Sequence, residues 1–156
     1  MSIDKVFKGH ELFRSLSIDE INKLSNFSSL KKYDVDESIF KINGAGTHLY
    51  MLMKGVVYLR LPANPPEYGF IIAKIEKGEI FGLSPLLNSP RYTSSAQCVE
   101  PVEVLAIEAK PFSELLLGNH DVSINVMRQV AQIYFSRYID LLKNIQGVIS
   151  QVSLTH

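Results

Sequence analysis

The sequence contains little of what stabilises secreted proteins or anchors proteins in membranes. It has one cysteine, Cys98, among 156 residues, so no internal disulfide can form, and we expect a reducing, cytoplasmic location. No apolar run approaches the length of a bilayer span, and the N-terminus has no signal-peptide pattern. Sixteen basic and sixteen acidic residues balance to zero net charge. This balance gives no electrostatic reason to expect binding to nucleic acid or to an anionic membrane.

Motifs for catalysis and for metal binding are also missing. The histidines His10, His48, His120 and His156 lie far apart and form neither a His-x-His nor a His-Glu-x-x-His pair. Ser84 stands in Gly-Leu-Ser-Pro-Leu, which lacks the glycine that follows the serine of a nucleophile elbow. We therefore expect no metal site and no enzymatic activity.

What is present is the composition of an ordinary globular domain, with 46% hydrophobic and 21% charged residues. The length suits a single domain with a sizeable core. Residue patterns divide it into a helical segment at 1–27, a β-rich segment at 28–109 and a second helical segment at 110–156. The expected class is α+β, mainly β.

The β-rich segment consists of short apolar runs separated by turn residues. Many short strands at regular spacing favour a sandwich or a jelly-roll barrel over alternating β-α units. The pair Lys54-Gly55 predicts a hairpin, because glycine permits the positive φ of a tight turn. The predicted strands are Leu30–Val35, Ser38–Ile42, His48–Met53, Val56–Leu61, Gly69–Ile75, Ser94–Cys98 and Glu103–Ile107.

Capping signals place the helices. Ser17 and Glu20 form a capping box at the start of a helix in the first segment. In the last segment Lys110–Gly118 predicts a short helix that ends at a glycine C-cap. Asn119 or Asp121 then caps a long helix that runs to Val148 or beyond.

The long helix has apolar residues on two faces. The first face has the 4-3 rhythm of a coiled coil and predicts a homodimer through this helix. Ile133, Phe135, Ile139 and Leu142 form the second face, which we expect to pack on the barrel. The first face, called here the predicted seam, comprises Met127, Ala131, Tyr134, Tyr138, Leu141, Ile145, Val148 and Val152.

The segment 78–96 contains a candidate anion site. Ser84 predicts the N-cap of a helical turn, and Pro85 suits its first position. Free backbone N–H groups would then point out beside Gly82, where no side chain obstructs approach. Arg91 could supply a cationic fork for a phosphate oxygen.

The residues Phe81-Gly82, Leu86-Leu87, Pro90-Arg91, the hydroxyl residues after them and Ala96 resemble the phosphate-binding cassette of cyclic-nucleotide-binding domains. The run from Tyr92 to Gln97 resembles members of the Crp/Fnr regulator superfamily. The resemblance covers residues 12–145. It implies an eight-stranded jelly-roll barrel with an inserted cassette helix, and a long C-terminal helix that dimerises and covers the ligand.

In that family a cassette Glu holds the ribose and an Arg pairs with the cyclic phosphate. Here Leu83 stands at the position of the Glu, so we expect weak binding of cyclic AMP or none. Tyr92 is an extra residue after Arg91. Two arrangements follow: Arg91 pairs with an anion, or Tyr92 turns Arg91 outward and places its own ring in the pocket mouth.

The sequence leaves the ligand open. The first reading is a regulatory sensor for a nucleotide or another phosphate-bearing small molecule, with the base near Arg137 and Tyr138. The second is a haem or other non-nucleotide sensor, with His120, His48, Met127 or Cys98 as a haem ligand. The third is a ligand-free dimerisation module. The candidate binding residues are Gly82, Leu83, Ser84, Arg91, Tyr92, Thr93, Ser94, Arg137 and Tyr138.

The resemblance also implies a further domain after the long helix in the related regulators. Crp/Fnr regulators continue into a winged-helix domain that reads DNA, and nothing in these 156 residues could supply its recognition helix. We expect a second copy of the chain and a small-molecule effector as partners. We expect no DNA-binding domain in this chain and no membrane contact.

Overall fold

Two antiparallel sheets of four strands face each other. The computed structural model describes residues 2–65 and 69–154, the last four in backbone only. One sheet has the order β1-β8-β3-β6 and the other β2-β7-β4-β5. This is the eight-stranded jelly-roll arrangement that the family resemblance implied. The strands are β1 (Ser28–Tyr33), β2 (Ser38–Phe40), β3 (His48–Lys54), β4 (Val57–Leu61), β5 (Phe70–Ile75), β6 (Ile80–Phe81), β7 (Ser95–Cys98) and β8 (Val102–Glu108).

Strands β3 and β8 are buried on both faces. Successive side chains of an extended strand point to opposite sides, so each strand contributes to two clusters. Tyr50 and Leu52 of β3 point between the sheets, into a cluster called here the barrel core. Leu49 and Met51 point the other way, into a second cluster called the helical core. The apolar runs of the sequence are therefore central strands, covered by the opposite sheet on one side and by helices on the other.

Four α-helices cover the sheet of β3 and β8. The predicted capping box is present in α2: the Ser17 hydroxyl accepts from the Glu20 N–H at 3.1 Å, and the Glu20 carboxylate accepts from the Ser17 N–H at 2.9 Å. A 3₁₀ turn at Glu11–Phe13 separates α1 from α2, so the first segment is not continuously helical. The helices are α1 (Ile3–Lys8), α2 (Ile18–Asn26), α3 (Ala109–Leu117) and α4 (His120–Leu154).

The start of α4 is capped by Asn119, whose side-chain oxygen accepts from the Val122 N–H at 3.3 Å. Of the two predicted caps, Asn119 is therefore the one used. Gly118 is the C-cap of α3, as predicted, and its φ of −81° lies in the right-handed region. Among the described residues, no helix has the length and apolar character needed to cross a membrane.

The hairpin predicted at Lys54-Gly55 is wrong, although the turn is present. Gly55 has a φ of +95°, and an added Cβ would lie 2.6 Å from the Pro101 carbonyl oxygen. The strands on either side do not pair, because β3 pairs with β6 and β8 while β4 pairs with β5 and β7. The turn carries the chain from one sheet to the other, as the jelly roll requires.

Candidate functional site

The segment after β6 makes a sharp turn at Gly82. Its φ is +70°, which side chains rarely allow. An added Cβ would also lie 3.0 Å from a ring carbon of Phe40 and 3.2 Å from one of Tyr50. Glycine is thus required here both by backbone conformation and by the rings of the barrel core.

The helical turn that follows differs in detail from its prediction. It is a 3₁₀ helix at Ser84–Leu87 whose N-cap is Leu83, and no side chain caps it. The Ser84 hydroxyl instead donates to the Arg91 carbonyl at 3.3 Å. Ser84 is therefore not the N-cap, and Pro85 is the second helical residue, because the buried Ser84 is drawn into the loop that closes the segment.

Arg91 points away from the interior. Its backbone forms an antiparallel bridge with Ala45, and its guanidinium donates to the Asn43 carbonyl at 2.6 Å. Consecutive side chains of an extended segment alternate between two sides. Because Tyr92 takes the inner side, Arg91 takes the outer one and is exposed.

Tyr92 is 4% exposed and belongs to the barrel core. Its ring stacks on Phe40 with centroids 3.9 Å apart. Its hydroxyl donates to the His48 carbonyl at 2.6 Å. Arg91 therefore points outward, as in the second of the two arrangements expected from the sequence, in which Tyr92 turns it away. The Tyr92 ring, however, is buried in the barrel core and does not lie at the mouth of the pocket, so it does not block the entrance.

A cavity of about 230 Å³, called here the main cavity, lies between the sheet of β4, β5 and β7 and the helix α4. The cassette closes one end of it. Its described lining is mostly apolar and aromatic, with hydroxyl groups and one charged side chain. The lining residues are Phe40, Leu59, Ile72, Ala73, Gly82, Leu83, Ser84, Tyr92, Thr93, Ser94, Tyr134, Arg137, Tyr138 and Leu141.

Eight of the nine candidate binding residues line this cavity. They come from two regions about 40 positions apart: the cassette, and α4 with Arg137 and Tyr138. The ninth, Arg91, is not part of the lining. That these residues bind a ligand remains a prediction.

Sequence reasoning missed the wall formed by the strands. Leu59, Ile72 and Ala73 come from β4 and β5, and Phe40 comes from β2. In the sequence, each of these residues is only an apolar residue within a short predicted strand, and the same is true of any core position. Which strand faces α4 depends on the order of strands in the sheet, and that order is not written in a local pattern.

Arg137 is the one charged residue of the described cavity lining. Its guanidinium donates to the Ile80 carbonyl of β6. Burial lowers the pKa of this guanidinium, and Glu79 opposes that effect. Arg137 also borders a polar cavity on its other side, together with His10 and Gln132. It therefore links α4 to the strand that precedes the cassette.

The residues around the cavity do not fit haem ligation as predicted. His48, Cys98, His120 and Met127 are all absent from the described lining, which contains no histidine, cysteine or methionine. Cys98 lies in the barrel core, where burial raises the pKa of its thiol to about 11. Within the described residues no group of three or more metal-ligating side chains converges.

The predicted seam of α4 does not form one free stripe. Met127 packs against the helical core, and Tyr134 and Leu141 line the main cavity. Ala131, Ile145 and Val148 are exposed. Val152 lies outside the residues whose side chains the structure describes.

The assignment of the barrel-facing side of α4 was partly wrong. Ile133 packs on the helical core as expected, but Phe135 is 65% exposed and Leu142 is also exposed. Among the α4 residues whose side chains the structure describes, Val122, Val126 and Val130 are buried. A helix with apolar residues over a wide arc does not specify which part of that arc meets its own domain.

Six exposed apolar residues lie along one side of the helix, called here the exposed stripe; five of them lie close together between Phe135 and Ile149, and Ile124 lies eleven residues before Phe135. Its members recur at spacings of 11, 3, 4, 3 and 4, which keeps them on one side of a helix. Tyr138 belongs both to this stripe and to the lining of the main cavity. The stripe comprises Ile124, Phe135, Tyr138, Leu142, Ile145 and Ile149.

Comparison with known proteins agrees with this geometry. Residues 30–119 match the sequence model of the cyclic nucleotide-binding domain. The chain is 29% identical over 110 residues to the cyclic AMP receptor protein of Thermus thermophilus. That alignment covers 70% of this chain and 50% of the relative, so the chain spans about half the length of the curated relative it matches.

Solved structures show the same fold. A protein of Geobacter metallireducens assigned to cyclic nucleotide binding superimposes with a TM-score of 0.76 and 26% identity, over 88% of this chain and 98% of that one. The sensor domain of the transcriptional regulator DNR from Pseudomonas aeruginosa superimposes with a TM-score of 0.73 and 20% identity, over 87% and 96%. The second likeness concerns the fold alone.

Proposed function

Because the chain belongs to the cyclic nucleotide-binding domain family, we propose that it is a non-enzymatic regulatory module whose small-molecule effector binds in the main cavity. The observation that carries the proposal is the composition of the cavity wall. Cassette residues such as Thr93 and Ser94 and α4 residues such as Arg137 and Tyr138 border the same space. A ligand there would contact both elements at once, so its binding would change how α4 sits on the barrel.

We further propose that the module is a homodimer through the exposed stripe of α4. Contiguous exposed apolar surface on a folded domain commonly marks an interface. Tyr138 is 56% exposed on the stripe and also borders the cavity. An effector in contact with Tyr138 would therefore act directly on the dimer interface, which gives a physical route from binding to regulation.

A phosphate-bearing effector held by Arg91 remains a prediction from the sequence. It requires Arg91 to exchange the Asn43 carbonyl for the anion. The backbone at the start of the Ser84–Leu87 turn would supply further donors, as in the family pattern. Arg91→Ala should then weaken binding of a phosphate-bearing ligand, and an unchanged affinity would contradict this part of the proposal.

The experiment that tests the cavity as the effector site uses a blocking variant. We expect Ala73→Trp to fill the cavity, because Ala73 lines it between Leu59 and α4. Lys74→Trp is the matched control: it places the same side chain at the next position of β5, where Lys74 is exposed and pairs with Glu76. Wild type and both variants are screened by thermal denaturation with cyclic nucleotides, haemin and small organic acids.

A ligand that stabilises wild type and Lys74→Trp but not Ala73→Trp supports the proposal. A ligand that binds Ala73→Trp as tightly as wild type places the effector elsewhere and contradicts it. An absorbance spectrum of freshly purified protein tests haem separately, since bound haem gives a Soret band.

A further inference from the structure

The main cavity has an apolar wall where the family contacts a sugar. Leu83 occupies the position that the cassette pattern gives to a carboxylate, and it is 1% exposed. Leu59 and Ile72 line the same space from the sheet. Ribose hydroxyls placed there would face groups that neither donate nor accept hydrogen bonds, which is unfavourable. A ligand that fits this wall must present apolar surface to it.

The cavity also carries a single positive charge. Arg137 is the only charged residue of the described lining, since Arg91 lies outside it and no Asp or Glu belongs to it. The ion pairs among the described residues are Arg14–Glu11 and Lys74–Glu76, so no carboxylate lies at ion-pair distance from Arg137. An arginine stays protonated at neutral pH even when partly buried. Glu79, which acts on this guanidinium, borders the polar cavity on the other side and does not line the main cavity. The main cavity therefore favours an anionic ligand.

A second donor stands next to this charge. Tyr134 lines the cavity and lies three residues before Arg137, so the two side chains are neighbours on α4. Burial raises the pKa of the Tyr134 hydroxyl, with Arg137 opposing, so the hydroxyl keeps its proton. A guanidinium and a hydroxyl side by side can donate to the two oxygens of one carboxylate.

The volume indicates how large an apolar group fits inside the cavity. An engineered cavity of about 150 Å³ lined by apolar residues holds benzene. Pockets for drug-sized ligands start at roughly 300 Å³. At about 230 Å³ the main cavity lies between these values. It suits one aromatic ring or a short alkyl chain that carries a small polar group.

From these observations we infer that the effector is a small monocarboxylate with an apolar body, whose carboxylate pairs with Arg137 and Tyr134. The ring or alkyl chain lies against Leu83, Leu59 and Ile72. This inference rests on the proposed function, because it names the ligand class of the same cavity. It does not involve Arg91.

The test compares pairs of acids and their neutral amides on the whole chain. The probes are phenylacetate with phenylacetamide, and hexanoate with hexanamide, each titrated to 10 mM by calorimetry and by thermal denaturation. We expect each acid to stabilise wild type and to bind at least about tenfold more tightly than its amide, because the charged pair with Arg137 is lost in the amide.

Two variants assign the preference to Arg137. Arg137→Met keeps a long apolar stem without the charge, and we expect acid and amide to bind it equally. Arg137→Lys keeps the charge, and we expect it to retain a preference for the acid. Because Arg137 also donates to the Ile80 carbonyl, the lysine variant remains informative if the methionine variant does not fold.

Three results would overturn the inference. The first is that neither acid stabilises wild type. The second is that acid and amide bind equally, and the third is that folded Arg137→Met keeps the preference for the acid. Failure here does not by itself refute the effector site: cyclic AMP or a neutral compound that binds wild type but not Ala73→Trp would leave the proposed function standing.

Discussion

The hydroxyl of Tyr92 donates a hydrogen bond to the carbonyl of His48 at 2.6 Å and accepts one from the His48 N–H at 3.2 Å. The two residues are 44 positions apart, so this contact ties the end of the cassette to the first residue of β3. With its ring stacked on Phe40, Tyr92 holds the loop in the position that turns Arg91 outward.

Tyr92→Phe should keep the stacked ring and lose both hydrogen bonds. A partly buried backbone pair left without a partner costs about 1–3 kcal/mol of unfolding free energy. Urea denaturation measures the change. Tyr58→Phe, at a half-buried tyrosine of β4, is the control, and we expect it to change stability by less than about 0.5 kcal/mol. Equal effects at the two positions would contradict a special role for Tyr92.

Glutamate in the exposed stripe should dissociate the proposed dimer. Burying a leucine or isoleucine side chain contributes about 1.5–3 kcal/mol, and an unpaired charge in its place adds a penalty. We expect Leu142→Glu with Ile145→Glu to raise the dimer Kd by at least about 100-fold. Sedimentation of wild type and variant at tens of micromolar measures this.

The matched control for the dimer is Gln132→Glu, which places the same side chain at an exposed position on another face of α4. It should sediment as wild type does. A wild-type monomer at these concentrations would refute the proposed interface.

Cyclic AMP should bind weakly. A hydrogen bond between a ribose hydroxyl and a carboxylate contributes about 1.5–3 kcal/mol, so its loss at Leu83 alone weakens binding by roughly 10- to 100-fold. Calorimetry with wild type measures the affinity. Leu83→Glu should not simply restore it, because Leu83 is packed in the helical core and a carboxylate there would lower stability. Submicromolar binding to wild type would show that another residue holds the ribose.

Acid should destabilise the fold through His10. Burial lowers its pKa below 6.5, with Glu11 and the Gly78 carbonyl opposing. The unfolded chain then binds more protons than the folded one below pH 6.5, so stability is complete above that pH and falls as pH drops below it. We expect a lower free energy of unfolding at pH 5.5 than at pH 7.5, measured in urea.

His10→Asn separates this effect from other titrating groups. The His10 ring accepts from the Leu12 N–H at 3.0 Å, and asparagine can make the same cap without a titrating ring. The variant should lose less stability between pH 7.5 and pH 5.5 than wild type. Part of the loss should remain, because burial and Lys31 also lower the pKa of His48. An identical pH dependence in wild type and variant would exclude His10.

Local chemistry allowed much of the fold to be predicted. The capping box at Ser17 and Glu20 is present because its partners are three residues apart and need no tertiary contact. Each of the seven predicted runs overlaps an observed strand, since alternation and turn residues are visible within a few positions. The eighth strand, Ile80–Phe81, has only two residues, too few for a pattern of its own.

The sequence predicted which cassette and helix residues belong to the candidate site, but not which way the Arg91 side chain points. The cassette spacing and the position of Arg137 on the long helix identified eight residues that line one cavity. The direction of Arg91 depends on whether its neighbour Tyr92 enters the barrel core. That choice depends on Phe40 and His48, which lie more than 40 positions away in the chain.

The sequence by itself therefore determined most elements of this protein, their order, and the cassette and helix residues from which a binding site could form. These features depend on backbone preferences and on contacts within a few positions. Only the tertiary structure decided that Gly55 joins two sheets, that α4 buries Val126 and exposes Phe135, and that Arg137 instead of Arg91 is the cation of the cavity. The physical reason is that packing between distant segments selects one face among several that are equally apolar in the sequence.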